Sequence, residues 1–129
     1  MNRPGMRGMT LAETSLYRLY ALYEQPYLLD KTTRKIVPLR DHYGDPSCGI
    51  IHPDGEWCAV GGEGVSVYFP DSREEVVYLS GSFVQSLAMI GPDILEIRTD
   101  RPEDGSGIWQ LNVGTREMIR TVDPPGASG

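Results

Sequence analysis

Ile51-His52-Pro53-Asp54-Gly55-Glu56-Trp57-Cys58-Ala59-Val60-Gly61-Gly62-Glu63-Gly64-Val65-Ser66-Val67-Tyr68-Phe69-Pro70-Asp71-Ser72-Arg73 carries three chain reversals in quick succession. In His52-Pro53-Asp54-Gly55 the proline presets φ, the aspartate can bond its own backbone, and the glycine accepts positive φ. Glu56–Val60 then reads as a short strand, and Gly61-Gly62-Glu63-Gly64 as the next turn. Val65–Phe69 follows with β-branched and aromatic residues, Pro70–Arg73 turns again, and Glu75–Leu79 is a further strand. With Gly49-Ile50-Ile51 in front, the stretch predicts a four-stranded antiparallel meander joined by short hairpins.

The same layout recurs on both sides. Downstream, Val84–Met89, the turn Gly91-Pro92-Asp93 and Ile94–Arg98 lead through a longer loop, Arg101–Gly107, to the hairpin of Ile108–Val113 and Glu117–Val122 around Gly114-Thr115. Upstream, Tyr27–Asp30, Lys31–Arg34 and Lys35–Leu39 repeat that final hairpin. The three hairpin turns are marked by Thr33, Ser72 and Thr115, 39 and 43 residues apart. A period near 40 with four short strands per unit is what a propeller blade predicts. The expected fold is all-β: antiparallel meander sheets in about three blade-like units, arranged as an open partial propeller or a sandwich. Thr10-Leu11-Ala12-Glu13 fits a helix capping box and Leu16, Leu19, Tyr20 and Tyr23 share a helical face. Tyr17–Leu22 nevertheless sits where the repeat needs a strand, and strand is the reading taken. Residues 1–15 are expected to be a poorly ordered arm, 16–122 a single β-meander domain, and 123–129 a disordered tail.

Ile51 to Gly62 resembles the apolar-x-Pro-Asp-Gly-x-x-apolar-Ala-x-Gly core of a WD-repeat β-propeller blade, and Ile108 to Val122 resembles the closing hairpin of one. The resemblance covers roughly residues 16 to 122. The family's Trp-Asp and Gly-His pairs are absent; Leu111-Asn112 and Phe69-Pro70 stand near where the former would be. Three units are too few for a ring that usually needs at least four. The resemblance therefore implies blade-like local structure in an open or oligomeric arrangement, and nothing about catalysis.

Composition narrows the function classes. The chain has 129 residues, 18 acidic and 12 basic, for a net charge of −6. That balance argues against a nucleic-acid binder, which would need lysine and arginine to neutralise phosphates. No stretch approaches 18 uninterrupted apolar residues, so no membrane helix is expected, and the N-terminus lacks a signal-type apolar run. Cytoplasmic residence is the default expectation, and Cys48 and Cys58 fit it as free thiols, although a hairpin would permit a disulfide between them.

Chemical motifs are sparse. His42, Cys48, His52 and Cys58 are four soft ligands within 17 residues, but the spacing is not that of a zinc knuckle. The acids of Asp100–Gly105 are interrupted by Arg101 and Pro102 in a way a calcium loop does not allow. Gly61–Gly64 lacks the Gly-Lys-Ser/Thr of a phosphate loop, and no serine stands in a nucleophile elbow. No metal, no cofactor and no catalysis are expected.

Charge is unevenly spread. Residues 1–40 hold seven bases and three acids, residues 41–75 eight acids and Arg73, and residues 76–129 seven acids and four bases. The middle acids Asp41, Asp45, Asp54, Glu56, Glu63, Asp71, Glu74 and Glu75 fall in or beside turns, which a meander gathers at the sheet ends. The expectation is an acidic rim, with Tyr43 and Trp57 as aromatic anchors, that binds a basic protein partner. A small acidic domain of this kind is similar in general character to bacterial immunity proteins, which neutralise a cognate toxin by covering its active site. The alternative is a structural protomer that associates with itself to complete a ring or cover its sheet edges.

Overall fold

A computed structural model describes residues 9–40, 46–99 and 107–121. These contain ten strands and no helix: β1 (Met9–Glu13), β2 (Tyr17–Leu22), β3 (Gln25–Asp30), β4 (Ile36–Pro38), β5 (Cys48–Ile51), β6 (Cys58–Phe69), β7 (Glu74–Gly91), β8 (Ile94–Thr99), β9 (Ile108–Asn112) and β10 (Glu117–Thr121). No helix among the described residues is long and apolar enough to cross a membrane. Hydrogen bonding links β1-β2-β3-β4 into one sheet and β5 through β10 into another, every neighbour antiparallel and in chain order. Thus β1, whose Thr10 and Glu13 pair with Tyr20 and Arg18, lies inside the segment expected to be an arm. The capping box is part of a strand.

Two long strands resolve the six-stranded sheet into blade-like halves. The first part of β6 pairs with β5 (Ile51↔Cys58, Cys48↔Gly61), and its second part with β7 (Val65↔Tyr78, Phe69↔Glu74). Ten residues of straight strand would put Cys58 about 33 Å from Tyr68. Instead Cys58 and Tyr68 pack in one core with Leu19, Leu28 and Ile51. The chain therefore doubles back at Gly61–Gly64, where Gly64 has φ 86, as the glycine-rich sequence predicts. β7 changes partner in the same manner. It pairs with β6 up to Tyr78 and once more at Phe83, opposite Glu63, and with β8 from Val84 onward; between Tyr78 and Phe83, Leu79 (φ 54) and Gly81 (φ 92) make a corner. The result is three four-stranded meanders: β1–β4, β5 to the first half of β7, and the second half of β7 to β10.

Their equivalence shows best in the last turn of each unit. Arg34, Arg73 and Arg116 all sit at positive φ (68, 61 and 68) and donate N–H to the carbonyl four residues back, on Asp30, Phe69 and Asn112. The hydroxyls of Thr33, Ser72 and Thr115 each accept the N–H two residues on, at 3.3 Å. A Ser/Thr-Arg pair is thus the repeat's mark.

Strand alternation sorts the middle unit's side chains onto two faces. Cys58, Val60 and Tyr68 pack with Leu19, Leu28, Leu39 and Ile51 against the first sheet. Trp57, Ala59, Val65 and Val67 pack with Val84, Leu95, Ile97, Leu111 and Val113 against the third. With both faces buried, β6 reads as a near-continuous apolar run. Glycines permit the close approach. A Cβ on Gly49 would stand 2.7 Å from Leu19 Cδ2, and one on Gly61 would stand 2.8 Å from both Val84 Cγ1 and Cys48 Sγ. The Ser47 hydroxyl bridges the seam, donating to the Val84 carbonyl at 2.6 Å.

Candidate functional site

The turns following β5 and the second half of β7 meet at one end of the stack. In the first, the His52 N–H donates to the Trp57 carbonyl and the Gly55 N–H to the His52 carbonyl, with Gly55 at φ 76. In the second, Asp93 is held at φ 60 and its carbonyl accepts the Val113 N–H at 2.8 Å. Asp93 Oδ1 accepts the indole Nε1–H of Trp57 at 3.0 Å and faces His52 Nε2 at 3.5 Å. The imidazole lies 5.5 Å from the indole, tilted by 55°. The carboxylate of Glu56 completes a cluster in which one donor atom each from His52, Glu56 and Asp93 lie within 4.8 Å of one another.

The ligand types suit a cation, but the imidazole is committed. His52 Nδ1 accepts the Asp54 N–H at 3.0 Å. A neutral imidazole carries its proton on the other nitrogen, so Nε2 presents a hydrogen to Asp93 rather than a lone pair. The arrangement works as a clasp between the second and third units. Of the four soft ligands read from the sequence, His42 lies outside the described residues. Cys48 and Cys58 project from opposite faces of the β5–β6 ladder, one into each core, and so share neither a metal nor a disulfide; both are free thiols.

Burial, reinforced by the Glu75 charge, pushes the Cys58 thiol well up. Burial likewise raises Cys48, against the opposing hydrogen bond of Ser47. Raised thiol values mean that the fold disfavours the thiolates, so stability is lost as pH climbs past the ordinary 9.0. Ellman's reagent at pH 8 is expected to leave Cys58 untouched and modify Cys48 slowly in the native protein, and to titrate both in guanidinium. Rapid native labelling of Cys58 would contradict its burial.

The acidic rim is only partly as the sequence reading has it. Asp54, Glu56 and Asp71 are exposed on the same end. Tyr17 ties them together: a Cβ on Gly55 would touch its ring at 2.8 Å, and its hydroxyl is raised by burial, then by Asp30 and Asp71. Glu63 sits at the opposite end, in the β6 tip. Glu74 is engaged by both guanidinium nitrogens of Arg116, at 2.6 and 2.8 Å, which holds its carboxyl below the usual range. The carboxylate of Glu75 accepts the Arg40 N–H at 2.9 Å. Trp57, expected as a surface anchor, is 2% exposed; alternation places it in the core beside Ala59, and Asp93 satisfies its N–H. Asp41, Tyr43 and Asp45 lie outside the described residues. Asp93 and Arg116, which sequence reasoning passed over, carry a signal after all: Pro92-Asp93 repeats Pro53-Asp54, and Arg116 follows the repeat's hydroxyl.

Two sheet faces have no neighbouring unit among the described residues. On the first sheet, Leu19 and Leu28 point inward, so Tyr20, Tyr27 and Leu29 point outward. Tyr20 and Tyr27 stack at 5.4 Å, the Arg18 guanidinium lies 5.1 Å from the Tyr20 ring, and Ile36, opposite Leu29, is 48% exposed. On the third unit, Leu95 and Leu111 point inward, so Glu96, Gln110 and Ile119 point outward, with Ile119 60% exposed.

No protein-family model matches the chain, and no curated protein matches it. Among solved structures it is similar in fold to a chain of Kuenenia stuttgartiensis Hydrazine Synthase, at 16% identity and a TM-score of 0.67. The match covers 93% of this chain and 36% of that one, so this protein spans about a third of its structural neighbour.

Proposed function

We propose that the protein is a non-catalytic protein-binding module whose docking surfaces are the two uncovered faces of its blade stack. One observation carries this reading. Among the described residues, each outer unit buries one sheet face against the middle unit and leaves the other, with aromatic and aliphatic side chains, open. Blade faces of this kind are covered by the next blade in a closed propeller, and the likeness of residues 51–62 to a WD-repeat blade supports a propeller-related origin. Exposed apolar sheet surface mostly marks an interaction site. The clasp of His52, Trp57 and Asp93 is structural in this reading, since the Trp57 indole donates to Asp93 and His52 Nδ1 is taken by the Asp54 N–H.

A second reading is favoured by Asp54, Glu56 and Asp71 standing exposed around Tyr17: the acidic end binds and neutralises a basic partner, such as a toxin or an enzyme, in the manner of an immunity protein. One experiment separates the two. Hydroxyl-radical footprinting and carbodiimide labelling are compared between producing cells and dilute purified protein. Protection of Tyr20, Tyr27 and Ile119 in cells is expected from the first reading. Protection of Asp54, Glu56 and Asp71 instead would replace it with the second, and equal labelling at all these positions would end both.

A further inference from the structure

We infer that His52 is a proton-operated joint: on gaining a proton its imidazole gives up the Asp54 N–H and tightens onto the carboxylates of Asp93 and Glu56. Acidification thereby strengthens the link between the second and third units and frees the turn that carries the exposed acids Asp54 and Glu56. The inference concerns the clasp alone and holds whichever surface a partner uses.

The ring is held from both sides and is 8% exposed. Nδ1 accepts the Asp54 N–H at 3.0 Å, so the neutral ring carries its hydrogen on Nε2, which faces Asp93 Oδ1 at 3.5 Å. A second proton has one place to go, Nδ1, and a histidine with both nitrogens protonated accepts no hydrogen bond. What was a bond to Asp54 becomes a contact between two donors. On the other side the effect has the opposite sign. Asp93 and Glu56 each place a carboxylate oxygen within 4.8 Å of an imidazole nitrogen, and an opposite charge at such a distance favours the charged ring. The approach of Nε2 to Asp93 is longer than the roughly 2.7–3.2 Å of an ordinary N–H···O bond, which leaves distance to close once the bond is charge-assisted.

The surroundings support the same exchange. The Trp57 indole lies 5.5 Å from the imidazole and donates to the same Asp93 Oδ1. From the first unit, the Tyr17 ring borders the turn at Gly55, and its hydroxyl feels the charges of Asp30 and Asp71. The movement is confined, because the main-chain bonds from the His52 N–H to the Trp57 carbonyl and from the Gly55 N–H to the His52 carbonyl do not involve the ring. The hairpin stays closed while the Asp54 peptide reorients. Histidine is the side chain whose unperturbed charge change falls between pH 5 and 8, and carboxylates ordinarily titrate below that window. A transition within it therefore reads the ring rather than the acids.

The test is an NMR titration of the full chain from pH 8 to pH 5. His52 is assigned as the imidazole whose signals vanish in His52→Asn, a variant whose side-chain oxygen can still accept the Asp54 N–H. One shared midpoint is expected: the Asp54 amide proton moves upfield, as its hydrogen bond is lost, at the pH where the His52 ring charges, while the Trp57 indole N–H keeps its bonded position. In His52→Asn the Asp54 amide should stay in place over the same range. Asp93→Asn keeps an oxygen for the indole and suits the positive φ of 60 at that position. It should lower the His52 midpoint by about 1 pH unit, since the attracting carboxylate is gone. Glu56→Gln, at an exposed position, should lower it by a smaller step. An Asp54 amide that ignores the His52 titration, or one that still moves in His52→Asn, would overturn the inference. So would a ring that stays neutral down to pH 5, or a midpoint that neither Asp93→Asn nor Glu56→Gln lowers.

Discussion

Trp57→Ala is expected to lower the free energy of unfolding by about 3–5 kcal/mol, the range for removing a buried large aromatic side chain. The indole is the largest side chain in the core between the second and third units, and its neighbours there include Val65, Leu95 and Leu111. Those residues belong to separate strands of two units, so the cavity has little freedom to collapse. Truncation also removes the N–H that Asp93 Oδ1 accepts. Trp57→Phe would keep most of the apolar volume and lose the donor, so a smaller loss, about 1–2 kcal/mol, is expected. Urea denaturation followed by circular dichroism measures both. A loss below about 1 kcal/mol for the alanine variant would show that Trp57 is not a core residue and would return it to the surface role read from the sequence.

Gly61→Val is expected to be the most damaging change at the seam, at about 3 kcal/mol, the upper end of ordinary overpacking. The new Cβ alone would sit 2.8 Å from Cys48 Sγ and 2.8 Å from Val84 Cγ1, closer than such atoms approach. Neither neighbour can give way easily. Cys48 is fixed by the β5–β6 ladder, and Val84 starts the strand arm that pairs with β8. The cost should appear as a fall in melting temperature of about 10 °C for a domain of this size. Gly114→Ala is the control: its exposed site would meet only Asn112 Oδ1 at 3.3 Å and Asp93 Oδ2 at 4.0 Å. A change there within about 0.5 kcal/mol is expected. If the two substitutions cost the same, close approach is not what glycine provides at position 61.

Much of the fold was legible because turn chemistry is local. Pro53-Asp54-Gly55, Gly61–Gly64 and the hydroxyl-bearing turns dictate where the chain reverses from residues within four positions of one another, and their spacing discloses the period. What escaped was decided by contacts between units. Trp57 looks like an interface anchor until the third unit is laid over it. Glu74 looks like a free rim charge, yet its partner Arg116 is 42 residues away. Met9–Glu13 has too little apolar pattern to announce a strand; it becomes one because the edge of β2 is available for pairing. The two thiols look like ligand candidates in one dimension, but a separation of three rungs along the β5–β6 ladder puts them on opposite sides.

Among the described residues, the middle unit is the one with a neighbour on either side, since both cores draw on β6 and each outer unit belongs to only one of them. In such a row, cohesion is a sum over unit-to-unit contacts. Peeling away an outer leaf sacrifices a single contact, whereas releasing the central one sacrifices two, so these three units loosen from the outside inward.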